Sequence, residues 1–178
     1  MKAIPNILSA LRLVLCPVFV IVFFRVTPIA ALGVFVFASL LDVADGFLAR
    51  KLDAVSELGK ILDPLADKVL QLSAVICFVV DGTLPLFAAI LLGGKEFLVL
   101  LGGWLVSRKR KAMVYSNVFG KIASFCVSLA LVLLFFVDSF ALPAGVTTGI
   151  YVFLYSAIAL SLAAMVQYGI VFLYKKDE

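Results

Sequence analysis

The chain has 178 residues, of which 65% are hydrophobic and 15% charged, with a mean hydropathy of +1.22. That balance excludes a soluble globular domain and a disordered chain, and it predicts an integral membrane protein of single-domain length. The net charge is a modest +4 and histidine is absent, so no imidazole can serve as base or metal ligand, and proton abstraction falls to a carboxylate or a lysine.

In chain order, Lys2, Pro5 and Asn6 lead into apolar sequence that runs through Phe24 without a small-residue cleavage site, so the first span is expected to be retained. Arg12 lies about a turn inside it, where it either snorkels to the surface or points at a pocket. After Arg25 and Pro28, an apolar run from Ile29 to Leu41 leads into a helix expected to reach Ala49, long enough to cross about 30 Å of hydrocarbon. Arg50 and Lys51 mark a polar exit, and residues 52–58 read as a surface connector. A third span is expected from Gly59 to Val80, with Lys60 and Lys68 flanking its acidic face, Lys68 as the ion-pair partner of a carboxylate.

Asp81, Gly82 and Pro85 form a turn before a fourth span from Leu86 to Val106, which is interrupted by Gly93, Gly94, Lys95 and Glu96. Adjacent helical residues point about 100° apart, so one of Lys95 and Glu96 is expected to reach the pocket, and the glycines to permit close helix packing. The basic loop Arg108, Lys109, Arg110, Lys111 reads as a topology signal and not as a nucleic-acid patch. A fifth span is expected from about Ile122, or a turn or two earlier, to Val137, a turn at Asp138, Pro143 and Gly145, and a sixth span from about Thr148 to Tyr174, ending at Lys175 and Lys176. Cys16, Cys77 and Cys126 stand singly in apolar runs and read as small buried hydrophobes.

Lys2, the Arg50–Lys51 loop, the Arg108–Lys111 loop and the terminal lysines fall on one side of this scheme, with Arg25 alone opposite. The expectation is an all-α membrane fold with six transmembrane helices, residues 1–178 as one domain, and both termini cytoplasmic.

The chain's chemistry is concentrated between Leu41 and Leu70. Asp42 and Asp45 are spaced i, i+3, and Asp63 and Asp67 i, i+4, so each pair shares one helix face. A charge at membrane depth costs about 2.5 to 3.5 kcal/mol, and bound cations would offset four of them. Hard oxygen donors favour Mg²⁺ or Mn²⁺ over zinc, and carboxylate-held Mg²⁺ commonly works on phosphates. The plainer reading makes these aspartates helix caps or solvated loop charges, and four in two helical registers weigh against it.

Read as D-x2-D-G-x2-A-R-x8-G-x3-D-x3-D, the residues Asp42, Asp45, Gly46, Ala49, Arg50, Gly59, Asp63 and Asp67 resemble the signature of the CDP-alcohol phosphotransferases. The resemblance implies a six-helix membrane fold, two divalent ions (Mg²⁺ or Mn²⁺) and transfer of a substituted phosphoryl group from a CDP-alcohol to a second alcohol, releasing CMP. It assigns Asp42, Asp45, Asp63 and Asp67 to metal, Asp67 to general base, ligand or both, and Asp45, Gly46, Ala49, Arg50 and Gly59 to the cytidine diphosphate. Pro5, Asn6, Arg12 and Pro17 are similar to the first-helix pattern of one branch, which turns Arg12 toward the pocket.

The wording D-P-L-A-D-K at Asp63 to Lys68 resembles the branch that makes phosphatidylglycerophosphate or cardiolipin from CDP-diacylglycerol. Glycerol 3-phosphate is then the expected acceptor, with Lys60, Lys95, Arg108 and Lys121 as cations for its phosphate. The family also implies a homodimer in the bilayer of the bacterial inner membrane, with no nucleic-acid partner. Two departures bear on the acceptor. Lys95-Glu96 stands where the branch has Arg-Glu or Arg-Asp, and Gly120-Lys121-Ile122-Ala123-Ser124 stands where it has G-K-x-K-T. The rival readings are a cardiolipin synthase or other member of the same family, and a divalent-cation transporter whose aspartates form a permeation site.

Overall fold

A computed structural model of the chain describes residues 3–51, 59–109 and 118–174, with side chains described over residues 10–41, 66, 68–99 and 120–167. Among the described residues there are six helices and no strand: α1 (Ala3–Arg25), α2 (Pro28–Lys51), α3 (Gly59–Asp81), α4 (Leu86–Lys109), α5 (Val118–Ser139) and α6 (Ala144–Tyr174).

Local chemistry sets the described ends. Thr27 caps α2: its Oγ1 accepts from Ala30 N–H at 3.1 Å and its carbonyl from Ala31 N–H at 3.1 Å. Pro28, with its fixed φ and no N–H to leave unpaired, takes the first helical position. Gly82, at φ +89°, closes α3 by donating its N–H to the Val79 carbonyl at 3.2 Å, a left-handed conformation that glycine adopts without steric cost. The Pro85 carbonyl accepts from Ala88 N–H at 3.0 Å to open α4, and the Pro143 carbonyl accepts from Val146 and Thr147 N–H at 2.9 and 3.1 Å to open α6. Pro143 therefore starts α6 at Ala144, about a turn before the expected Thr148, and α5 starts at Val118, within the turn or two before Ile122 that the sequence allowed.

The chain divides into two compact units. The first comprises Met1–Thr83 with Asp138–Phe140, the second Leu84–Val137 with Ala141–Glu178. In the first, α1 packs on α2 and α3, which also touch each other. Buried residues recur at heptad-like spacing: Arg12, Cys16, Phe19 and Phe23 on α1, Ala31, Phe35 and Ala38 on α2, and Ala66, Leu70, Ala74, Cys77 and Phe78 on α3. Rings stitch the three helices together. Phe19 lies 6.2 Å from Phe23 and 6.1 Å from Phe35, and Phe23 meets Phe78 edge-on at 5.6 Å. At one end of this unit the Thr83 hydroxyl is 3.0 Å from Asp81 Oδ2 and 3.2 Å from Asp138 Oδ1.

In the second unit α4 packs on α6. The α6 stripe is Ile150, Leu154, Ala157, Ile158, Ser161 and Ala164, and the α4 stripe is Ala88, Leu92, Lys95 and Glu96. Phe87 of α4 stacks on Tyr155 of α6 at 5.9 Å. A Cβ added at Gly94 would meet nothing within 4 Å, so Gly94 does not serve the close helix packing expected of it.

Opposite the buried stripes lie exposed apolar faces, such as Val14, Val18 and Ile21 on α1 and Phe97 and Leu98 on α4. Contiguous exposed apolar faces mark contact with a membrane or with another protein. Among the described residues, Gly120–Ser139 and Ala144–Gln167 are long and apolar enough to cross a membrane, and Pro28–Leu41 is a shorter apolar helix. Cys16 and Cys77 are buried, as the sequence suggested, whereas Cys126 is only half-buried; all three are free thiols.

Candidate active site

The aspartate motif falls on two helices of the first unit. Asp42, Asp45, Gly46, Ala49 and Arg50 lie in the last turns of α2, and Gly59, Lys60, Asp63 and Asp67 in the first turns of α3. Their side chains lie outside the described residues, as does that of Arg108 on α4. The register of the helices is nonetheless informative. On α2 the buried positions Ala31, Phe35 and Ala38 step by four and three, and the same alternation continued along the helix lands on Asp42, Asp45 and Ala49. On α3, Asp63 stands three residues before the fully buried Ala66, and Asp67 three before Leu70. A 3.6-residue helix keeps such positions on one face. The motif's backbone is thus helical at both ends of the 52–58 connector, in the spacing the sequence gives it.

Elsewhere, described side chains resolve two choices that the sequence left open. Arg12 is only 1% exposed, on the α1 stripe four residues before Cys16, whose thiol donates to the Arg12 carbonyl at 3.4 Å. It is buried and does not snorkel. Lys95 and Glu96 are also both buried, at 6% and 8% exposure, and Lys95 Nζ lies 2.5 Å from Glu96 Oε1. The sequence set these neighbours apart by helical angle, and the structure pairs them. Their 100° separation straddles the α4 stripe, and the four-carbon lysine stem brings its ammonium back to the carboxylate. The sequence singled out both residues but not their pairing, which depends on the reach of the lysine stem.

Lys121 is exposed at the start of α5 and Lys68 is half-buried on α3. No group of three or more His, Cys, Asp or Glu side chains gathers among the described residues, and the four aspartates lie outside them.

The sequence profile of the CDP-alcohol phosphatidyltransferases matches residues 2–171, and the chain belongs to that family of enzymes. The family is membrane-associated and generally uses divalent metal ions. Among particular relatives, the chain is 36% identical over 131 residues to the CDP-diacylglycerol–glycerol-3-phosphate 3-phosphatidyltransferase of Aquifex aeolicus, covering 72% of each chain. It is 32% identical over 174 residues to the enzyme of that name from Sodalis glossinidius, covering 93% of this chain and 92% of the relative. A cardiolipin synthase (CMP-forming)/mitochondrial hydrolase fusion protein of Schizosaccharomyces pombe is 38% identical over 97 residues, 54% of this chain and 16% of that protein.

Proposed function

We propose that the enzyme transfers the phosphatidyl group of CDP-diacylglycerol to glycerol 3-phosphate, yielding phosphatidylglycerophosphate and CMP, as a step of phospholipid synthesis. The observation that carries this reading is the eight-residue motif on the successive helices α2 and α3, in a chain similar over nine-tenths of its length to a relative bearing that activity's name.

Asp42, Asp45, Asp63 and Asp67 would hold two divalent ions, Mg²⁺ or Mn²⁺, which when bound neutralise charge developing on the donor diphosphate. Asp45, Gly46, Ala49, Arg50 and Gly59 bind the cytidine diphosphate. Arg50 is suited to phosphate because its guanidinium donates two parallel N–H bonds, and Gly46 and Ala49 leave room for the nucleotide. Asp67 accepts the proton of the attacking glycerol 3-phosphate hydroxyl. That oxygen forms the new P–O bond to the phosphatidyl phosphorus as the bond to the CMP oxygen breaks. Lys60, Lys95, Arg108 and Lys121 supply cationic partners for the acceptor phosphate.

The chain forms one domain, residues 1–178, of six transmembrane helices with both termini and the aspartate motif on the cytoplasmic side of a bacterial inner membrane. The distribution of basic residues supports that orientation. It works as a homodimer, in keeping with the family resemblance. Cardiolipin synthesis, with phosphatidylglycerol as acceptor, is the second reading, favoured by the similarity to the fission-yeast fusion protein over the motif-bearing part of the chain. Offering purified enzyme CDP-diacylglycerol with either acceptor separates the two. CMP release that depends on phosphatidylglycerol and not on glycerol 3-phosphate would reverse the assignment.

A further inference from the structure

Lys95 and Glu96 occupy the tenth and eleventh positions of the 24-residue α4. At 1.5 Å per residue they stand about 14 Å along a helix about 36 Å long, far from either end. Both are buried, with side chains 6% and 11% exposed, and their charged atoms meet at 2.5 Å. The flanking stripe residues, Ala88 and Leu92, are apolar and buried. A buried ion pair of this kind contributes little to stability: exchanging it for apolar side chains of similar volume is commonly neutral or stabilising, whereas removing one partner strands the other charge. Packing alone therefore gives no reason for two charges at this depth of an apolar helix, and ionisable groups so placed generally mark a functional site.

The geometry of the pair indicates what it does. An ammonium has three N–H donors and sits on a flexible stem with four methylene groups. Contact with Glu96 occupies one donor and fixes the position of Nζ, leaving two donors for the oxygens of an anion. We infer that Glu96 is a positioning residue, which holds the Lys95 ammonium in place so that its remaining donors take the phosphate of the acceptor. The inference rests on the reading above that Lys95 belongs to the acceptor-phosphate site.

The experiment uses the full chain in detergent micelles with Mg²⁺. CMP release is followed while glycerol 3-phosphate and CDP-diacylglycerol are varied in turn, and thermal melting is recorded beside it, for Glu96→Gln, Lys95→Arg and the double variant Lys95→Met with Glu96→Leu. Glu96→Gln should raise KM for glycerol 3-phosphate by about thirtyfold or more, the scale set by breaking a desolvated charge pair, and leave KM for CDP-diacylglycerol within about twofold. Lys95→Arg, which keeps both the charge and the partner, should retain most of the acceptor affinity. The double variant, which removes the ammonium itself, should show a raised acceptor KM as well. Should Glu96→Gln fail to fold, Glu96→Asp, which keeps the charge but draws it back from Nζ, decides the matter by the same rise in acceptor KM. Parental acceptor KM in a folded double variant, or in folded Glu96→Gln, overturns the inference while leaving the proposed reaction intact. A parent enzyme that releases no CMP with glycerol 3-phosphate overturns the proposed reaction, and the inference with it.

Discussion

Phe19 is the residue through which packing most directly supports the aspartate-bearing helices. It is fully buried, and its ring contacts Phe23 of α1 at 6.2 Å and Phe35 of α2 at 6.1 Å, while Phe23 reaches Phe78 of α3 at 5.6 Å. Helices in a bilayer gain little from hydrophobic transfer, so the loss in Phe19→Ala is one of packing. A cavity on the order of 100 Å³ at about 24 cal/mol per Å³ gives about 2.4 kcal/mol. Two lost ring contacts at about 0.5 to 1.5 kcal/mol each bring the total to roughly 3 to 5 kcal/mol. For a chain of this length each kcal/mol moves the midpoint by about 2 to 4 °C, so melting should fall by about 6 to 20 °C. The buried thiols of Cys16 and Cys77 provide the assay, because a thiol-reactive fluorophore lights up as the first unit opens. Ile21→Ala, on the exposed face of the same helix at 60% exposure, is the control and should move the midpoint by less than about 2 °C. A Phe19→Ala midpoint within that margin, or an equal fall in the control, would refute the aromatic knot as the support of α2 and α3.

Other consequences test the chemistry. Asp42→Asn, Asp45→Asn and Asp63→Asn should each abolish turnover and displace the Mg²⁺ titration, whereas Asp67→Asn should lose far more turnover than donor binding; a parallel fall in both would make Asp67 a metal holder only. Lys121→Ala and Arg108→Ala should raise KM for glycerol 3-phosphate and leave that for CDP-diacylglycerol nearly unchanged, a split that a purely topological role would not produce. Thr83→Val removes the hydroxyl lying between Asp81 and Asp138 and should lower the melting point by a few degrees, about 1 kcal/mol, with turnover at 25 °C unaffected; Thr83→Ser should restore the parent's midpoint.

The helices were legible because each apolar run ends at residues that break or cap it: Thr27-Pro28, Asp81-Gly82, Pro85 and Pro143. The first turn of α6 was not, since Ala144–Thr147 carries no apolar periodicity and the Pro143 carbonyl that opens α6 acts through the backbone. The aspartate motif could be read as spacing, and helical assignment across Asp42–Ala49 and Asp63–Asp67 agrees with that spacing. Contacts set by side-chain reach or by distant sequence could not be read. A 100° rule between neighbouring Cβ directions says nothing of where a lysine stem ends, so the Lys95–Glu96 pair escaped. Thr83 and Asp138 are 55 residues apart, beyond any local pattern. Arg12 was undecided because both of its readings fit one position in a span, and only the packing of α1 on α2 and α3 decides between them.

The central claim is tested most directly by incubating the purified enzyme with CDP-diacylglycerol, radiolabelled glycerol 3-phosphate and Mg²⁺, and measuring labelled lipid and CMP together, with and without a chelator. The account predicts one CMP per phosphatidylglycerophosphate formed, abolished by chelation and restored by Mg²⁺ or Mn²⁺. Labelled lipid formed undiminished in excess chelator, or CMP released without transfer to glycerol 3-phosphate, would contradict it.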